Sequence, residues 1–160
     1  MYTPGSILYC TPFYFPNGST AKPKYFITLF NDGRNLVAAA LPTRQDYVPA
    51  HLPKKHGCIN YAEGDFNAYY FSPDVPITIE GWSFRTHTYI YGFWVDVFDI
   101  ELLRKNYDEE GKDYKIIGNL TEQEFQAIIR CLLLTRTMKN TSQPYRTNTV
   151  VPLWKTTLLA

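Results

Sequence analysis

The chain has 160 residues, with 13 Tyr, 10 Phe and 3 Trp, 45% hydrophobic residues and 19% charged ones. That balance excludes a disordered tail and sets the expectation of a single domain with its own core. No run approaches the roughly 18 unbroken apolar residues of a membrane helix, and the opening MYTPGSILYC lacks the basic-then-apolar order of a secretory leader. A cytoplasmic chain with no membrane partner is the expectation. The net charge of +1 conceals a pattern: residues 1–60 sum to +4, residues 61–113 to −7 and residues 114–160 to +4. Two basic thirds around an acidic middle are compatible with a polyanion groove and equally with ordinary solvated faces.

The first half reads as strands. Ile7–Cys10 is a short apolar run after Pro4-Gly5, and residues 14–20 form a turn-rich loop around Asn17-Gly18. Tyr25–Phe30 (YFITLF) is rich in β-branched and aromatic residues, and Asn31-Asp32-Gly33 turns it into Asn35–Leu41 (NLVAAAL), a predicted hairpin. The second strand is almost wholly apolar, which predicts a central strand buried on both faces. Residues 42–64, with three prolines and two histidines, read as a long excursion from the sheet. Further strands are expected at Asn67–Phe71, Ile77–Ile79 and Thr88–Phe98, the last with Gly92 as a bulge or bend.

The period then changes. Asp99 is placed to cap a short helix from Ile100 to about Asn106, and Asp108–Asp113 reads as a charged turn. Thr121 and Glu124 have the spacing of a capping box, and Phe125, Ile128, Ile129 and Leu132 form one face of a helix reaching about Met138. Residues 139–160 are a polar, Pro-broken linker followed by an apolar arm. The three cysteines, Cys10, Cys58 and Cys131, are odd in number and widely spaced, which suggests neither a disulfide framework nor a metal pattern. Cys131 reads as a small buried hydrophobe in a reducing compartment. His51, His56 and Cys58 make too weak a ligand set for a metal centre. The expected class is mainly β or α+β.

This order of elements, with particular phrases, resembles the MazF/PemK family, the Kid-type plasmid-maintenance toxins. The phrases are Pro4-Gly5-Ser6-Ile7-Leu8, Lys22-Pro23-Lys24 before YFITLF, Leu36–Thr43 (LVAAALPT), and Gly118-Asn119-Leu120-Thr121 before the last helix. The likeness spans the first 43 residues and about residues 84–135; it assigns 1–138 to one domain, with an unmatched insertion at about 45–83 and a separate arm at 139–160. What it implies is an SH3-like small β-barrel with a short helix and a C-terminal amphipathic helix. It further implies a homodimer, a protein antitoxin, and metal-independent cleavage of single-stranded RNA in a type II toxin–antitoxin system, with no cofactor. Such cleavage, by attack of a ribose 2′-OH on the adjacent phosphate, needs a base, an acid and a cation.

Carried onto this chain, the family pattern places Lys22 where an Arg is usual and Thr43 at the Thr or Ser position. A Lys lacks the planar fork of an Arg. The residues themselves add Arg85 and His87, entering the aromatic strand, as a catalytic pair. Lys24, Lys54 and Lys55 are candidate phosphate contacts, and Tyr14 a candidate stacking ring. Phe15, Tyr47, Tyr61, Tyr69 and Tyr70 also fall in or beside predicted loops, where exposed rings stack on bases or meet a protein. The alternatives to an endoribonuclease are a non-catalytic nucleic-acid- or protein-binding module of the same fold, and an oligomer-building interaction protein.

Overall fold

The computed structural model describes residues 2–14, 18–41 and 46–134. The hairpin expected around Asp32-Gly33 forms: β2 (Lys22–Asn31) pairs antiparallel with β3 (Asn35–Ala40). Asp32 Oδ1 accepts from the backbone N–H of Arg34 at 2.9 Å and of Asn35 at 2.7 Å, and Gly33 takes the left-handed conformation (φ 90°) that the turn demands. Around this hairpin lies a five-stranded sheet in the order β7-β3-β2-β1-β8, with β1 at Ser6–Phe13, β7 at Val95–Asp99 and β8 at Tyr114–Asn119. A second sheet holds β4 (Gly57–Tyr61), β5 (Phe66–Phe71) and β6 (Thr88–Tyr91) in sequence order. Among the described residues the fold is mainly β with two α-helices, and the two sheets do not close into a barrel.

Strand alternation divides the apolar residues among three clusters. In β3, Val37 and Ala39 face one cluster while Leu36 and Ala38 face another, so this strand is buried on both sides as its composition predicts. The first cluster lies between the sheets and includes Ile7, Ile27, Leu29, Phe71 and Ile90, together with Ile128, Ile129 and Leu132 from α2 (Glu122–Leu133). Each such fully buried side chain contributes about 1.5–3 kcal/mol of burial free energy. The second cluster covers the outer face of the five-stranded sheet, where Ile100 of α1 (Ile100–Asn106), Tyr107 and Tyr2 cover Leu8, Phe13 and Phe26. The third covers the outer face of the three-stranded sheet, where Val48 and Leu52 lie over Ile59, Tyr70, Tyr89 and Tyr91.

Both helix caps form. Asp99 Oδ1 accepts from Leu102 N–H at 3.0 Å, and Thr121 Oγ1 accepts from Glu124 N–H at 3.2 Å. Four expectations change. The 88–98 run is two strands in different sheets, joined by a 3-10 turn at Gly92–Trp94. Ile77–Ile79 is not a strand: Thr78 makes a single bridge to Leu120, Ile77 is buried and Ile79 is 74% exposed. The 42–64 excursion contains β4, in which Ile59 alone is buried, so it carries no apolar periodicity to read. The cysteine reading is corrected most: Cys58 of β4 and Cys131 of α2 form a disulfide, with the Cys10 thiol buried and free. Cys131 is indeed buried, but it is cross-linked to the three-stranded sheet, and the inference of a reducing compartment from the cysteines loses its basis.

Candidate nucleic-acid interface

The alternation of β6 and the residues leading into it, His87-x-Tyr89-x-Tyr91, places polar-tipped aromatic side chains two apart along the chain. The β5–β6 register sets Tyr70 opposite Tyr89 and Ala68 opposite Tyr91. A ladder of rings results. Tyr91 and Tyr89 stack at 5.6 Å between centroids, Tyr89 and Tyr70 at 5.1 Å, and Tyr70 and His87 at 5.8 Å with their planes 11° apart. The ladder extends past Tyr91 to Trp94 at 6.3 Å and to Tyr47 at 5.2 Å. Trp94 in turn lies under the Lys24 ammonium, 5.8 Å from the ring centroid.

Segment 46–54 is fixed onto this ladder by its rims. Tyr47 N–H donates to Tyr91 Oη at 2.8 Å, Tyr89 Oη–H donates to Asp46 Oδ2 at 3.2 Å, and Lys54 Nζ pairs with the same carboxylate oxygen. Asp46 Oδ1 accepts from Val48 N–H at 3.0 Å. Burial alone would raise the Asp46 carboxyl, but the bonds from Lys54, Val48 and Tyr89 hold it below the usual carboxylate range. Burial, and then the Asp46 charge, push the Tyr89 hydroxyl well above the ordinary tyrosine value. Tyr91 is pushed up to about 12, chiefly by burial.

Lys22 opens β2 and is exposed. Lys24, two residues on, is 8% exposed; its ammonium donates to the Leu41 carbonyl at 3.3 Å, and burial, then the neighbouring Lys22, lower its pKa. Arg85 and His87 are exposed at the entry to β6. Lys54 and Lys55 are exposed at the end of the covering segment, Lys54 paired with Asp46. Tyr14 is 56% exposed just beyond β1, its N–H donating to Tyr107 Oη at 2.7 Å. Thr43 and Phe15 lie outside the described residues. Tyr69 and Tyr70, read from sequence as loop-side rings, are interior residues of β5. They bury because β5 is central in its sheet, with Tyr69 facing the cluster between the sheets and Tyr70 the cluster on the outer face of the three-stranded sheet.

The structure therefore joins some candidates and separates others. Lys24 and His87 belong to one line of rings, but those of Trp94, Tyr91, Tyr89 and Tyr70 stand between them. Asp46, which anchors the covering segment, was not singled out by sequence reasoning. The His-x-Tyr-x-Tyr alternation was the one available signal for the ladder.

A second polar cluster lies on the other face of the three-stranded sheet. Glu124 Oε1 meets His56 Nε2 at 2.8 Å and accepts from Tyr69 Oη–H at 3.0 Å, while Ser72 N–H donates to His56 Nδ1 at 3.1 Å. Because Nδ1 accepts a backbone hydrogen, Nε2 carries the ring hydrogen and donates to Glu124. The Glu124 side chain of the expected capping box is thus turned onto β5 and ties α2 to the sheet that also holds Cys58. Burial, and then Glu124, push the Tyr69 hydroxyl well above its ordinary value. His51 meets Tyr61 edge-on at 5.2 Å. Among the described residues no group of three or more His, Cys, Asp or Glu could hold a metal ion, and no helix is long and apolar enough to cross a membrane. Comparison of the chain with protein-family models, with curated proteins and with solved structures gives no match.

Proposed function

We propose that the chain is a divergent MazF/PemK-type domain that binds single-stranded RNA without cutting it, with phosphates lying against Arg85 and His87. The observation that carries this reading is the setting of His87, an exposed imidazole braced from behind by Tyr70 and two residues from an exposed Arg85. Lys55, next to the Asp46-paired Lys54, adds cationic charge at the end of the covering segment, and the half-exposed Tyr47 offers a ring to an unpaired base. Cleavage by a 2′-OH needs base, acid and cation at one phosphate. Four rings divide Lys24 from His87, which favours holding over cutting.

A metal-independent endoribonuclease of a type II toxin–antitoxin system is the second reading. Its support is that Arg85 and His87 together offer one phosphate a cation and an imidazole. Within either reading the fold derives from an SH3-like barrel that has opened into two sheets around one shared core, and the partners are a second copy of the chain and a protein antitoxin.

The test is incubation of purified protein with single-stranded RNA in EDTA, followed by binding measurements across a salt series and by gel analysis of the RNA. Salt-weakened binding with the RNA left full length supports the first reading. Cleavage products that disappear with Arg85→Ala and His87→Ala support the second. Absence of binding at low salt overturns both.

A further inference from the structure

We infer that Tyr70 is a positioning residue that fixes His87 in a single tautomer, with hydrogen on Nε2, so that the exposed edge of the ring donates to an anionic oxygen of a phosphodiester. This inference rests on the RNA-binding reading for its ligand, but its structural part stands on hydrogen counting alone. Tyr70 Oη and His87 Nδ1 are 2.6 Å apart, a distance that requires one hydrogen between them. Two arrangements supply it: the phenol donates to Nδ1, or Nδ1–H donates to the phenol oxygen.

The surroundings choose between them. Tyr70 is 3% exposed, with its ring between His87 and Tyr89, and among the described residues His87 is the partner of its hydroxyl. If Nδ1–H were the donor, the phenol hydrogen of the buried Tyr70 would have no acceptor among the described residues, at a cost of about 1–3 kcal/mol. If the phenol donates, every hydrogen is used. The neutral ring then carries its hydrogen on Nε2, on the exposed side chain of His87.

The consequence is chemical. An Nε2–H is a donor and has no lone pair to offer, so His87 in this state is suited to grip a phosphate oxygen and unsuited to take a proton from a ribose hydroxyl. Arg85 provides the charge, and His87 provides one directed hydrogen bond. The chemistry recognised is that of a phosphodiester in an unpaired strand, where Tyr47 and Trp94 are the rings nearest the surface at the other end of the ladder.

The experiment uses the full chain labelled with 15N in histidine, observed at about pH 8, where an ordinary imidazole is neutral. The wild type is expected to show His87 with an unprotonated Nδ1 and a protonated Nε2. Tyr70→Phe, which keeps the ring and its stacking, is expected to mix the two tautomers with an unchanged amide spectrum elsewhere. A short single-stranded RNA oligomer is then titrated into four proteins. Tyr70→Phe should bind it about twofold more weakly than wild type, because only the Nε2–H fraction of a mixed population remains competent. His87→Gln retains an outward N–H donor that does not depend on a tautomer, so adding Tyr70→Phe to it should cost nothing further.

A wild-type His87 with its hydrogen on Nδ1 overturns the inference. So does an equal loss from Tyr70→Phe in both backgrounds, since that is the mark of a merely structural role. A wild-type protein that shows the Nε2–H tautomer but fails to bind the oligomer overturns the RNA reading and leaves the Tyr70–His87 assignment standing.

Discussion

The two outer faces of this molecule are covered in opposite ways. On the five-stranded sheet, Phe13, Phe26, Leu36 and Ala38 meet Ile100, Tyr107 and Tyr2, and the contact is apolar almost throughout. On the three-stranded sheet, the buried surface is a ladder of tyrosines, and segment 46–54 is fastened to its hydroxyl rims through Asp46 and the Tyr47 N–H. The first face is sealed by burial. The second keeps polar atoms in order beneath the surface and emerges from it at His87. Tyrosine permits this because its body stacks as a hydrocarbon while its tip must find a hydrogen-bond partner. A face whose buried rings keep hydrogen-bond partners therefore differs from one that only excludes water, and the difference is made with rings of nearly the same size.

The contrast can be broken most forcefully from the sealed side. Phe26 is in contact with Phe13 at 4.3 Å and Phe98 at 5.8 Å, and Phe26→Ala is expected to cost about 3–5 kcal/mol in denaturant unfolding. Opening the Cys58–Cys131 disulfide, which spans 73 residues of sequence, should cost about 2–4 kcal/mol. Amide exchange in reductant should rise first in β4 and α2, while β1 and β2 stay protected. Tyr89→Phe removes the bond to Asp46 but keeps the stack, and should cost about 1 kcal/mol. Faster exchange at the Val48 amide is its specific readout.

The smallest effect is that of pH. The Asp46 carboxyl lies below its ordinary value in the folded protein, so its contribution is complete above the unfolded value of about 3.9 and is lost as pH falls through the lower, folded one. Asp32 and Glu80 are lowered in the same sense elsewhere in the fold. The comparison that isolates Asp46 is therefore wild type against Asp46→Asn, with the acid-side loss of stability shallower in the variant.

Much of the sealed half could be read from the sequence, because its signals are local. YFITLF, Asp32-Gly33 and NLVAAAL specify the hairpin, and outside that half Thr121 with the Phe125–Leu132 spacing specifies α2 in the same local way. β8 escaped because its register on β1 shifts between Ile7 and Leu8, which breaks the alternation and leaves Ile116 exposed. The disulfide escaped because its cysteines come from a short polar strand and a distant helix, and three cysteines allow three pairings. At the candidate site, Arg85 and His87 stood out by residue type alone. Tyr70 reads from the sequence only as a loop-side stacking ring, since its bond to His87 exists only once the β5–β6 register sets Phe71 opposite Thr88.

The central claim is that phosphate is held at Arg85 and His87, and the salt dependence of single-stranded RNA binding tests it most directly. Each lost phosphate contact lowers the magnitude of the slope of log K against log salt by about 0.7 for a single strand. Arg85→Ala is expected to weaken binding across unrelated sequences and to reduce the slope by about that amount. An unchanged affinity and slope in Arg85→Ala would contradict the account.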